Sequence, residues 1–138
     1  MKKNILLIFI LQVMFCMSCK DDEVNYESAL IGRWEANSFA SLESVFYPKD
    51  NNYSPVVEFK ANGEFSLFLD KNTCTGSYTL SDNRVLITGG SCSEICCDSK
   101  FSEKFAGIIS KTETFTVLKD TLNLNVPEWG FIILTRDL

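Results

Sequence analysis

The chain has 138 residues, enough for one domain with a single modest core. It carries 13 basic and 18 acidic residues and no histidine. An acidic domain without a basic cluster is a poor partner for nucleic acid, whose phosphates must be neutralised. The missing imidazole removes the commonest general base, the commonest metal ligand and every Ser-His or Cys-His pair. The expectation is a protein that is not an enzyme and uses no cofactor and no metal.

The first element is not part of the domain. Lys2 and Lys3 precede the apolar run "ILLIFILQVMF" at 5–15, and Ser18 follows a short distance on. This is the pattern of a secretory signal, and it falls short of the roughly 20 apolar residues that cross a bilayer. A cut after Ser18 would expose Cys19, and a cleavage site directly before a cysteine resembles the lipobox of bacterial lipoproteins. The resemblance implies a lipid on Cys19, where two or three acyl chains hold a protein durably at a membrane. The "KDDE" at 20–23 is similar to the acidic signal that exports lipoproteins of Bacteroides-like bacteria to the cell surface. The organisation expected is a lipoprotein signal at 1–18, an acidic tether at 19–29 and a β domain at 30–138. The resemblance implies a place at the outer membrane, exposed at the cell surface, with a periplasm-facing tether as the alternative. An ordinary secretory signal that releases a free protein is the alternative. Without Lys2 and Lys3 the chain has 11 basic and 18 acidic residues, a net charge of −7.

Short strands separated by turn signals follow. "LIGRWEANSF" at 30–39 reads as a strand with Ile31, Trp34 and Ala36 towards the core, and a polar connector leads from it to Pro55. "VVEFK" and "EFSLFLD" flank Asn62-Gly63, a strong hairpin signal, with Phe65, Leu67 and Leu69 alternating along the second arm. "TGSYTL" and "RVLIT" make a second hairpin around "SDN", and "GGSCSEICC" reads as a loop. The period then changes: Phe101, Phe105, Ile108 and Ile109 form the inward stripe of an amphipathic helix. Asp98 is its expected N-cap and Lys111 lies at the far end. "TETFTVL", "TLNLNV" and "FIILTR" complete the chain. The fold class is α+β, mainly antiparallel: a curled sheet or half-open barrel of about eight strands, with one helix before the last three.

The order of these elements resembles the META domain of HslJ-like lipoproteins. The matching residues are "CTGSY" at 74–78, "CCDSKFSEKF" at 96–105, "TETFTVLKDTLNL" at 112–124 and "GFIILTR" at 130–136. The resemblance covers roughly 30–136 and implies a non-catalytic role in envelope maintenance or stress tolerance, or in binding an envelope component, such as another envelope protein. A second resemblance starts from "GRW" at 32–34, similar to the opening of lipocalin-like barrels, and implies a carrier of a small apolar ligand. Trp34 is expected in the core in either case.

With Cys16 removed and Cys19 lipidated, Cys74, Cys92, Cys96 and Cys97 remain, and an oxidising compartment would pair them. A bond between the neighbours Cys96 and Cys97 would strain the intervening peptide, which leaves Cys74 with either of them and Cys92 with the other. The META resemblance places Cys96 on the family's single cysteine before the helix. It thereby implies Cys74–Cys96 and Cys92–Cys97. The spacing does not match the two C-x₂₋₄-C pairs of a zinc site or a C-x-x-C redox pair.

The remaining constellations are weaker. Asp50, Asn51, Asn52, Asp70 and Asn72 lack the spacing of a calcium loop and read as solvated turns. Glu58 and Glu64 flank one hairpin without a cleft between them. Phe39, Phe46, Tyr47 and Tyr53 make either an exposed contact patch or, preferably, a cap on the sheet.

Overall fold

The computed structural model describes residues 25–49, 52–95 and 97–137. The signal at 1–18, Cys19, Asp50, Asn51 and Cys96 lie outside the described residues. Eight strands follow one another around a ring: β1 Gly32–Ser41, β2 Val56–Phe59, β3 Glu64–Phe68, β4 Thr73–Ser81, β5 Arg84–Cys92, β6 Thr114–Leu118, β7 Thr121–Val126 and β8 Gly130–Arg136. Helix α1, Tyr26–Leu30, precedes the ring and helix α2, Lys100–Ile109, enters between β5 and β6. This is the mainly antiparallel eight-stranded sheet, with a helix before the last three strands, that the hairpin and helix patterns imply.

Every neighbour pairs antiparallel with the next, and β1 returns to pair with β8. The curl therefore closes, which satisfies edges that an open sheet would leave bare. Its thinnest step is β5 to β6, joined through Arg84 opposite Thr114. The chain inserts α2 at that step. Phe101, Phe105, Ile108 and Ile109 are all buried with the sheet's inward residues. Leu67, Phe65, Tyr78, Val85 and Ile87 face the same core, as period-2 alternation requires.

Trp34 is completely buried, and its Nε1 donates to the Leu30 carbonyl at 2.8 Å. The Arg136 guanidinium lies 4.0 Å above the Trp34 ring and donates to the carbonyls of Ile31 and Ala29, both at 3.2 Å. A cation on an indole face, with its donors spent on the carbonyls of a helix end, fixes α1 against the barrel. Tyr26 meets Phe115 edge to face at 6.1 Å. The side chain of Asn25 caps α1, accepting from Ser28 N at 3.0 Å. Leu30 is part of the core, and Tyr26, within the stretch 19–29, packs against it.

Two further local expectations change. Ser99, not Asp98, caps α2, its Oγ accepting from Ser102 N at 3.2 Å. Asp98 is taken elsewhere: its carboxylate accepts from the backbone of Lys71 at 2.7 Å and from the side-chain amide of Asn72 at 2.6 Å. Lys111 lies past the last turn of α2, which carries no basic residue.

Candidate binding face

Two regions gather the residues singled out above: the loops around the cysteines, and the aromatic connector at 42–55.

In the first region β5 runs further than its glycines suggest. The β4–β5 register set by Ser81 opposite Arg84 would place Ser91 against Cys74. Gly89 and Gly90, at φ 66° and 146°, together face the single Gly76, and this bulge advances the register by one. Cys92 therefore lies opposite Cys74 and the two are bonded, with Cα atoms 3.9 Å apart. The pairings Cys74–Cys96 and Cys92–Cys97 are replaced by Cys74–Cys92, since the segment read as a loop is a strand through Cys92. Cys97 is exposed on the loop that follows, at φ 81°.

The turn that carries Asp70 and Asn72 is interlocked with the segment leading into α2. Asp70 accepts from Ser99 N and Ser102 Oγ, each at 2.5 Å. Burial alone would raise its pKa, but the hydroxyl and amide of the helix start outweigh this and hold it below the ordinary value. Asn72 accepts from Ile95 N at 2.8 Å and donates back to the Ile95 carbonyl at 2.6 Å. These oxygens already have donors, and among the described residues no group of three acids or cysteines is arranged to hold a metal. Tyr53 lies beside Asp70 and Asp98, its hydroxyl pKa raised by burial and then by those two charges. Glu58 and Glu64 are separated in their engagements: Glu58 lies 4.0 Å from Arg33, and Glu64 accepts from Asn62.

The second region is where the aromatic residues meet. A register shift in β1 between Ala36 and Ser38 turns Phe39 inward opposite the buried Ile132. Phe39 then stacks on Phe101 of α2, with centroids 4.5 Å apart and planes 20° from parallel. Tyr47 and Trp129 meet Phe39 edge to face at 6.0 and 5.7 Å. Lys104 reaches from α2 into this group, its ammonium 5.0 Å from the Tyr47 ring and 5.0 Å from the Trp129 ring. Glu43 binds it with both oxygens, at 2.9 and 3.0 Å, and accepts from Tyr47 Oη at 3.1 Å.

The pKa directions follow from this geometry. The Lys104 ammonium depresses the Glu43 carboxyl. Burial works against the charge on Lys104, but the Glu43 carboxylate keeps its pKa raised. Further along the connector Lys49 donates to Glu35 at 2.7 Å and to Asn37 at 2.9 Å, which holds Glu35 below its ordinary value. The connector is thus pinned to the barrel at two points by ion pairs, one of them enclosed by aromatic rings.

Between the pins lies a cleft of about 280 Å³ whose apolar walls are Phe39, Val45, Phe46 and Phe101. Phe46 is 85% exposed at its rim, Leu42 is 84% exposed and Val45 is 57% exposed. The four aromatics named from the sequence therefore divide. Phe39 and Tyr47 cap the sheet, Tyr53 sits by the acidic turns, and Phe46 stands in solvent. Sequence reasoning missed Trp129, Lys104 and Glu43 as members of this face. Nothing local in the sequence shows that the "PEWG" turn at 127–130 meets Lys104 of α2 or Glu43 of the connector.

No family model matches the chain, and no curated protein does. Solved structures do share the fold. A protein from Burkholderia xenovorans, determined by NMR, matches with a TM-score of 0.66 at 13% identity, over 80% of this chain and 86% of that one. A DUF4847 family protein from Bacteroides vulgatus matches with a TM-score of 0.59 at 15% identity, over 80% and 96% of the two chains. A further NMR structure gives 0.62 at 14% identity, over 82% and 95%.

Proposed function

We propose that this chain is a non-catalytic outer-membrane lipoprotein, lipidated on Cys19, whose META-like domain binds another envelope component in maintenance or stress tolerance of the envelope. The observation that supports binding over carriage is where the apolar surface lies. A carrier of a small apolar ligand needs an interior cavity, typically 300 Å³ or more. Here Trp34, Phe59, Phe105, Phe115 and Leu124 fill the core at 0–1% exposure. Exposed apolar side chains lie outside: Leu86, Ile95, Leu118 and Phe131 are scattered over other elements, while Leu42, Val45 and Phe46 fall together on one rim.

The tether supports the same reading. Five residues separate Cys19 from Asn25, a reach of about 20 Å when extended. The chain then enters β1 at Gly32, and the aromatic face lies beyond Ser41, about 30 Å further along the strand. A lipid at Cys19 would keep the α1 end near the bilayer and leave the face available to a partner.

Two measurements test this. Radiolabelled palmitate should mark the protein in cells and fail to mark Cys19→Ala; equal absence of label in both rejects the anchor. Cells carrying Phe46→Ser should become as sensitive to detergent as a deletion strain while holding normal amounts of protein. Full protection by that variant rejects the binding face.

A further inference from the structure

Resting on the reading of Cys19 as a lipid anchor, we infer that the tip of the β6–β7 hairpin enters the same bilayer, with Leu118 as the inserting side chain. The tip lies at the barrel end that carries α1. Gly32 pairs with Phe59, Trp34 with Arg136, and Thr135 with Thr121, so β1 begins where β2, β6 and β8 finish. Arg136 ties α1 to that end through the carbonyls of Ala29 and Ile31.

The hairpin overhangs its neighbour there. Phe115 N donates to the Asn83 carbonyl at 2.9 Å, so β6 passes the β4–β5 turn and Thr116, Val117 and Leu118 run on about 10 Å beyond it. On the other side β8 ends level with the tip, Arg136 N donating to the Asp120 carbonyl at 2.9 Å. Phe115 is buried and Val117 packs against the core, and the alternation turns Leu118 outward, where it is 72% exposed.

A single exposed leucine on a free domain needs no explanation. Its distance from the anchor is what gives this one a partner. Five residues separate Cys19 from Asn25, a reach of about 20 Å when extended. Tyr26, at the start of α1, touches Phe115, and Leu118 lies only about 10 Å further along β6. Lipid and leucine thus reach one bilayer surface together. Lys60 and Lys119 on the turns of this end are matched by Asp82 and Asp120, so the contact is apolar and needs no anionic lipid. The anchor supplies the effective concentration, and one side chain suffices as the second point of attachment. Two points hold the barrel upright and keep the aromatic face turned away from the bilayer.

The test uses the full lipidated chain reconstituted into phosphatidylcholine vesicles, with benzoylphenylalanine replacing Leu118, Leu86 or Phe46 in separate forms. All three positions are exposed, so each form should melt like the parent chain. Irradiation should join lipid to position 118 about tenfold more than to the other two, as burial of one leucine allows. With native side chains, amide exchange at 118–120 on vesicles should be slower than in Leu118→Asp. Equal lipid yields at the three positions, no adduct at 118, or equal exchange rates overturn the insertion, while palmitate labelling of Cys19 leaves the anchor standing. A chain that palmitate fails to mark in cells overturns the anchor and the insertion together.

Discussion

Cys74 and Cys92 face each other across β4 and β5 because two glycines on one strand oppose one glycine on the other. The bond closes a loop over a separation of 18 residues, which the chain-entropy model values at about 3 kcal/mol. That is a large share of the ~5–15 kcal/mol that holds a small domain together. Replacing both cysteines with alanine should lower the free energy of unfolding in urea by about that amount. Peptide mapping without reduction should recover Cys74 joined to Cys92, and a Cys74–Cys96 peptide in its place would refute the register described above.

Gly76 should be intolerant of any side chain. A Cβ there would lie 2.5 Å from the Phe65 ring and 2.8 Å from the Gly89 carbonyl oxygen. Neither neighbour can yield easily, because Phe65 is buried and Gly89 is held in the bulge. Gly76→Ala should cost about 1–3 kcal/mol, the usual effect of overpacking. Chemical denaturation measures it, with Gly107→Ala as a comparison, since a Cβ at Gly107 meets nothing within 4 Å.

What could be read in advance divides along local and non-local lines. Helix α2 was legible because its four apolar residues repeat at the helical period, and β2–β3 because Asn62-Gly63 punctuates two alternating arms. The extension of β5 was not, since "GGS" within a strand has the composition of a loop and only the opposing Gly76 turns it into a bulge. Helix α1 was hidden in the same way: five residues next to an acidic run carry no period, and their stability comes from Trp34 and Arg136, the latter more than 100 positions along the chain. The aromatic face depended on the β1 register shift, which no feature of "WEANSF" announces.

Arg136→Ala should release α1 without unfolding the barrel. The substitution removes a partly desolvated cation–π contact, worth about 1–2 kcal/mol, and two hydrogen bonds from a charged donor. The local effect should be seen first in hydrogen exchange, with the amides of Ala29 and Ile31 losing protection while those of β7 keep theirs. Equal loss throughout would mean that α1 and the barrel open as one unit.

Acid should weaken the junction between the β3–β4 turn and α2. Asp70 is held below its ordinary value of 3.8 in the folded chain, so the unfolded chain takes up a proton first as pH falls. Its contribution is therefore complete above pH about 4 and is lost as the pH drops through the lowered folded value. Glu35 and Glu43, depressed by Lys49 and Lys104, act in the same direction. Melting temperatures measured from neutral pH down to about pH 2 should decline below about pH 4. Asp70→Asn should lower the neutral plateau and make the decline shallower. A decline of unchanged steepness would assign the acid sensitivity to other groups.

Phe46 and Phe101 share one cleft but should answer differently to substitution, and the difference separates binding from folding. Phe101 is 1% exposed and stacked on Phe39, so Phe101→Ala removes core packing and should cost about 3–5 kcal/mol. Phe46 is exposed to solvent, so Phe46→Ser should change stability by no more than about 0.5 kcal/mol. Paired urea titrations measure both. If Phe46→Ser destabilised the isolated protein by several kcal/mol, that ring would be supporting the fold, and its effect in cells would no longer report on a partner.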